Sequence, residues 1–98
     1  MLSIKWSHRA VKEKSDILRY WVKRNESEAY SERIELETDK AISVILKNNL
    51  AGEKVKNRDH VRRLTIMRDY SIYYTVTGKY VYILVFWDNR QNPKRLKL

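Results

Sequence analysis

Between Gly52 and His60 the spacing of apolar residues changes from that of a helix to that of a strand. Few folds accommodate such a switch within one short chain. Before it, Ala10, Lys14, Ile17 and Trp21, with Leu18 and Val22 beside them, mark one stripe at helical spacing. Ser7 is placed to cap that helix and Asn25 to end it. Ser27 then opens a longer helix running to about Asn48, with Tyr30, Ile34, Ala41, Ile42 and Ile45 on its inner face. Its outer face is acidic, since Glu26, Glu28, Glu32, Glu35, Glu37 and Asp39 outnumber Arg33 and Lys40. Two helices joined by so short a turn form an antiparallel hairpin.

After the switch the period is two. Lys54–Arg58 reads as a basic loop, and His60–Met67, Tyr70–Val76 and Lys79–Trp87 read as strands. Arg68-Asp69 makes the first turn and Gly78 the second, so the three strands form a meander. Ser3–Trp6 is a short β-prone start. The order β–α–α–β–β–β predicts an α+β fold. An N-terminal strand and an antiparallel helical hairpin pack on a twisted, mainly antiparallel sheet that ends in the meander. Residues 1–98 are expected to form one domain.

Alternation along the strands assigns faces. Tyr70, Ile72, Tyr74 and Val76 share an apolar face, and Ser71, Tyr73 and Thr75 a polar one. Leu64 and Ile66 point to the core, with Arg62 on their side and Arg63 and Thr65 on the other. The last strand is apolar on both faces (Tyr82, Leu84, Phe86 against Ile83, Val85, Trp87), which predicts a central strand. The helices would cover one face and leave the other partly open, so Tyr73 and Arg63 are expected on a working surface. Trp6, Trp21 and Trp87 read as core or core edge.

Composition removes several chemistries. The 98 residues contain no cysteine, which excludes thiolate catalysis, disulfides and cysteine zinc sites. With only His8 and His60, neither a histidine metal site nor any cofactor is expected. Two glycines build no phosphate-binding loop. The start, Met-Leu-Ser-Ile-Lys-Trp, is too short and polar for a signal peptide. The longest apolar run, Tyr80–Trp87, is strand-length and far below the roughly 20 residues that span a bilayer. The expected location is the cytoplasm.

What remains is charge. Lysine and arginine number 21 against 12 acidic residues, a net +9. Lys54, Lys56, Arg58, Arg62, Arg63 and Arg68 crowd one segment, and Arg90, Lys94, Arg95 and Lys97 follow the last strand. With Tyr73, Tyr80 and Trp87 interleaved, such a surface suits a phosphate backbone with stacked bases. It equally suits the carboxylates of an acidic protein segment, or serves only to keep edge strands soluble. His60, at a strand start, reads as solvated or capping rather than as a general base.

The chain resembles the toxins of the RelE/ParE superfamily, from type II toxin–antitoxin pairs. The likeness begins at Ile4-Lys5-Trp6-Ser7 and Ala10 and passes through the helical hairpin. It takes in Val61-Arg62-Arg63-Leu64 and Tyr70-Ser71-Ile72-Tyr73-Tyr74. It is strongest in Ile83-Leu84-Val85-Phe86-Trp87-Asp88-Asn89-Arg90-Gln91-Asn92-Pro93. The resemblance implies the fold derived above and a cognate antitoxin that wraps the basic toxin in a hetero-oligomer. Two branches differ in target. RelE-like members cut messenger RNA on the ribosome with sheet arginines and often a tail tyrosine or histidine; ParE-like members are linked to DNA gyrase inhibition.

Here Ser71 stands where RelE-like enzymes hold an arginine, and the tail has no tyrosine or histidine. Arg90 matches the arginine after the last strand, and Arg62-Arg63 match basic positions common to both branches. A single acid/base group is worth roughly 10²–10⁴-fold in rate, so these departures favour the ParE-like branch. The resemblance thus implies a growth-inhibiting toxin with Arg62, Arg63, Tyr73, Arg90, Lys94 and Arg95 contacting target or antitoxin. The alternative is a metal-independent, ribosome-dependent endoribonuclease using Arg63, Arg68, Tyr73 and Arg90. A third reading is a non-toxic basic adaptor that binds nucleic acid.

Overall fold

Ser7 joins the first strand to the first helix through both of its hydrogen-bonding roles. In the computed structural model, which describes residues 1–98, its hydroxyl oxygen accepts from Ala10 N at 2.9 Å and its O–H donates to Leu84 O at 2.8 Å. β1 (Ser3–Trp6) therefore hands directly to α1 (His8–Asn25), whose last turn carries Lys23 and Arg24 against the helix dipole. Glu26 turns left-handed at φ 50° and closes α1. Ser27 accepts from Ala29 N at 3.2 Å, and α2 (Ala29–Lys47) starts just beyond it. Ser31 donates to Leu18 O at 2.6 Å and ties the two helices together.

The remaining strands are β2 (Glu53–Val55), β3 (Arg58–Ile66), β4 (Tyr70–Thr77) and β5 (Tyr80–Asp88), and a 3₁₀ turn spans Pro93–Arg95. The sheet order is β1-β5-β4-β3-β2. β1 runs parallel to β5 and every other pairing is antiparallel. β5 is flanked on both sides, in keeping with its two apolar faces, while β4 is the middle strand. No helix is long and apolar enough to cross a membrane.

The helices cover the sheet over a core of Ala10, Ile34, Ala41, Ile45, Ile66, Tyr70, Ile72, Tyr74, Val81, Ile83 and Phe86. Val81, Ile83 and Phe86 cannot share a face in a regular strand. They do so because the β4–β5 register shifts between Tyr73 and Tyr74, where Val85 and then Ile83 are the partners. Leu84 is the extra residue of a bulge. Its carbonyl takes the Ser7 hydroxyl, and Phe86 N–H donates to Glu13 Oε1 at 3.2 Å. The start of α1 thus caps the stretch of β5 that β1 no longer covers. This corrects the simple alternation expected for the last strand: Phe86 joins Ile83 on the core side, opposite Val85 and Trp87.

Two further expectations need correction. Lys54–Arg58 is not wholly loop, since Glu53–Val55 pairs with β3 through Glu53↔Arg63 and Lys54↔Arg62. The open edge of β3 supplies hydrogen-bond partners for any extended backbone, and charged side chains are what an exposed edge strand carries. The sheet face away from the helices is not left open either. Tyr73, Val85 and Trp87 form a second cluster there, joined by Val55, Val61, Leu84, Leu96 and Leu98. The bulge sends Val85 and Trp87 to this face, and the chain end folds back to cover them. Burying each such side chain contributes roughly 1.5–3 kcal/mol.

Gly52 connects α2 to the sheet at a point too tight for any side chain. Its N–H donates to Tyr74 Oη at 2.9 Å, and Tyr74 Oη in turn donates to Asn49 O at 2.9 Å. A Cβ at Gly52 would lie 2.8 Å from Arg63 O and 2.9 Å from Tyr74 Oη. Gly52→Ala is therefore expected to destabilise the protein by about 1–3 kcal/mol. Urea unfolding should show a lower midpoint with an unchanged slope.

Candidate functional site

Arg90 follows β5 and folds back onto the helix side of the sheet. Its Nε donates to Asp88 Oδ1 at 3.0 Å and its Nη2 to Asp88 Oδ2 at 2.9 Å, a two-bond fork. Nη2 also donates to Tyr70 Oη at 3.2 Å, and the guanidinium lies 5.7 Å from the Trp21 ring centre and 5.6 Å from that of Tyr70. Trp21 Nε1 donates to the same hydroxyl at 2.7 Å. Around these groups is a cleft of about 400 Å³ lined by Asp16, Ile17, Tyr20, Trp21, Tyr70, Asp88 and Arg90. Burial pushes the Tyr70 hydroxyl above its ordinary pKa, against the opposing pull of Trp21 and Arg90, so it stays protonated near neutrality.

Asp88 anchors the arrangement. Burial pushes its pKa up, but the Arg90 side-chain and backbone bonds outweigh burial and hold the carboxyl below its ordinary value. A carboxyl with a lower pKa in the folded state stabilises the fold above its unfolded pKa. That contribution is lost as pH falls through the folded value. Below about pH 4 the fork is expected to release, and stability should fall with it. Asp88→Asn should show a shallower acid loss when urea midpoints are compared across that window.

The opposite face carries Arg63. Arg63 Nη2 donates to Glu53 Oε1 at 2.6 Å. Glu53 first, and then the neighbouring Tyr73 hydroxyl, stabilise the Arg63 cation further. Lys54, Val55, Lys56, Arg63, Glu53 and Tyr73 line a recess of about 230 Å³. Tyr73 itself is only 5% exposed, tucked beneath the returning tail, so the expectation of an open Tyr73 surface is corrected. Trp87 is buried in the same cluster, and Tyr80 sits at the far end of β5 under Lys5 Nζ, 4.2 Å from its ring centre. The aromatics expected to interleave with the cations therefore do not form one platform.

The structure divides the remaining candidates by position. Arg62 lies on the helix side and donates to Gly52 O at 2.8 Å and Leu50 O at 3.3 Å, which makes it a brace for the α2–β2 connection. Arg68 is exposed at the β3–β4 hairpin tip, where Met67 and Arg68 both adopt positive φ (53° and 66°). Lys94 and Arg95 are exposed in the 3₁₀ turn, whose start is capped by Asn92 Oδ1 accepting from Lys94 N at 3.0 Å. Arg63 and Tyr73 are brought together. Arg90 is on the other side of the sheet.

Sequence reasoning missed Asn89. Its Nδ2 donates to Arg68 O at 3.0 Å, its backbone N–H donates to Asp69 O at 2.8 Å, and its Oδ1 accepts from Ser71 Oγ at 2.8 Å. It locks the left-handed hairpin tip to the segment bearing Arg90. Ser71 is fully buried in this network, so the position that holds an arginine in RelE-like enzymes is here a structural bond. The Asp-Asn-Arg run after an apolar strand was the available signal. Trp21 and Asp88 were missed as site residues because only the fold-back of Arg90 gives them that role.

A helical hairpin on a five-stranded mixed sheet, with a basic surface and a tail folded over the sheet, defines a RelE/ParE-like toxin fold. The fold is similar to that of a chain from the chromosomal ParDE TA system of P. aeruginosa. The TM-score is 0.75 at 21% identity, covering 90% of this chain and 96% of that one. No curated protein sequence matches. The model of the family described as ParE toxin of type II toxin-antitoxin system, parDE, matches residues 4–93. The chain belongs to this family and is a type II toxin of ParE type.

Proposed function

We propose that this toxin arrests growth by binding DNA gyrase through the surface around Arg90, acting in the cytoplasm as one domain. A cognate antitoxin silences it by occupying that surface. The observation that carries a gripping rather than a cutting role is the separation of the four nuclease candidates. Arg63 and Tyr73 lie on the tail-covered face, Arg90 stands against Tyr70 and Trp21 on the helix side, and Arg68 is at a hairpin tip. General acid/base work requires groups within hydrogen-bond reach of one reacting atom. The recess of Lys54, Lys56 and Arg63 favours messenger RNA cleavage as the second reading, because it offers several cations to one phosphate.

Induced expression without the antitoxin separates the two. Filamentous cells and a fall in gyrase supercoiling with purified toxin are expected. New cuts in translated messages within minutes, found by primer extension while supercoiling is unchanged, would establish the nuclease instead.

A further inference from the structure

Arg68 sits in a backbone conformation that a side chain disfavours. At the tip between β3 and β4, Met67 and Arg68 both have positive φ, and Asp69 N–H donates to Met67 O at 2.7 Å across Arg68. A turn closed around a central residue of positive φ is a rare and strained form. Hairpins that need left-handed residues normally place glycine or asparagine there, as the β4–β5 turn does with Gly78 at φ 59°. At the β3–β4 tip Asn89 supplies the restraint instead. Its Nδ2 donates to Arg68 O, its N–H donates to Asp69 O, and its Oδ1 accepts from the hydroxyl of Ser71, a wholly buried residue.

The same bonds decide what Arg68 stands beside. Ser71 pairs with Trp87 and Tyr70 with Asp88. Continued past the strand ends, that register sets Asp69 across from Asn89 and Arg68 across from Arg90. Like charges so placed repel each other. Arg90 is forked to Asp88, whereas the exposed Arg68 side chain has no ion pair to offset it. A strained tip that holds a free cation opposite a second cation does nothing for the fold, and strain of this kind collects where ligands are gripped. We propose that Arg68 contacts an acidic side chain of the toxin's target beside Arg90, and that Asn89 is the positioning residue that holds Arg68 there. This rests on the reading that the toxin works through the surface around Arg90. Neither guanidinium gives up its proton, so the pair can hold an anion and supplies no base for cutting. Asp69 and Asp88 stand at the same end of the sheet and limit its net charge, which suits one carboxylate better than the closely spaced phosphates of a nucleic acid.

The test titrates inhibition of gyrase supercoiling by purified toxin and, in parallel, growth arrest across inducer concentrations. Arg68→Gln should raise the inhibitory concentration about tenfold, the effect of losing a charged hydrogen-bond partner, with the unfolding midpoint unchanged. Lys79→Gln, the same charge change at the β4–β5 turn, should stay within about twofold of the parent toxin. Asn89→Ala should weaken inhibition by about as much as Arg68→Gln, and should speed amide exchange at Arg68 and Asp69 while core amides stay protected. Added to Arg68→Gln, it should weaken inhibition by less than about twofold more, because a residue that acts by placing Arg68 has nothing left to place. An Asn89 with only a structural role would lower stability and leave inhibition by the folded protein unchanged. Ser71→Ala removes one bond of the lock and repeats the measurement at smaller size where Asn89→Ala does not fold.

Inhibition by Arg68→Gln equal to that of the parent toxin overturns the contact while the gyrase reading stands. Additive losses in the double variant, or unchanged amide exchange at the tip in Asn89→Ala, overturn the positioning role. Duplex DNA retained by the toxin alone, and released by Arg68→Gln, overturns the assignment of the contact to a protein carboxylate. Growth arrest that Arg68→Gln weakens, with supercoiling untouched even by the parent toxin, removes gyrase as the target and supports Arg68 as a contact. Absence of arrest by the parent toxin at every inducer level overturns both.

Discussion

Arg90→Ala is expected to relieve growth arrest while leaving the protein folded. The substitution removes a fork to Asp88, a bond to the Tyr70 hydroxyl and a cation over two rings. Arg90 itself is exposed, so its truncation opens no cavity in the core. If the guanidinium also contacts the target, its loss removes a charge-assisted bond worth about 1.5–3 kcal/mol, or roughly 10–100-fold in affinity. Arg90→Lys separates charge from shape, because an ammonium cannot make the two-bond fork; it should remain mostly inactive. Arg63→Ala, on the other face, should relieve arrest far less. Plating efficiency across inducer concentrations measures all three, with circular dichroism as the control for folding. Full toxicity of Arg90→Ala would remove the cleft from the working surface.

Trp87→Ala carries the largest expected effect on stability. Trp87 is the bulkiest member of the far-face cluster, beside Tyr73 and Val85 and beneath Leu96 and Leu98. Truncating a buried tryptophan costs about 3–5 kcal/mol, a large share of the roughly 5–15 kcal/mol that holds a domain of this size together. The tail should come loose first, since its two leucines pack on the cluster that Trp87 helps to build and Arg9 bonded to the Lys97 carbonyl is its one hydrogen bond to a helix. Limited trypsin digestion should then cut at Lys94 or Arg95 before any site inside the helices. Simultaneous cleavage everywhere would mean that the tail and core form one cooperative unit.

The helices were legible because their apolar residues keep one period for many turns and because Ser7 and Asn25 mark the ends. The two hairpin turns were legible from Gly78 and from Arg68-Asp69. β2 was not, because Glu-Lys-Val carries no alternation and becomes a strand only when β3 offers its edge. The bulge at Leu84 left no trace, since a strand apolar on both faces reads the same with or without an extra residue. For the same reason the fold-back of the tail was hidden. Leu96 and Leu98 gave only a two-residue spacing, and the patch they cover exists because of the bulge. Arg90 was found as a type and a position. Its partners Trp21, Tyr70 and Asp88 depend on the chain turning back towards α1, which no local pattern records.

The parallel pairing of β1 with β5 has a consequence for the order in which the molecule can assemble. Ser3 lies opposite Tyr80 and Trp6 opposite Ile83, and Ser7 and Glu13 complete the bulge of a strand more than seventy residues away. On the ribosome, the earliest strand made waits for the latest one. Until residues 80–88 emerge, β1 has no neighbour in the sheet, Phe86 is absent from the core, and the segment that bears Arg90 does not exist. The cleft around Arg90 therefore closes only after β5 has emerged, in a late step dominated by distant contacts, which are slow to close.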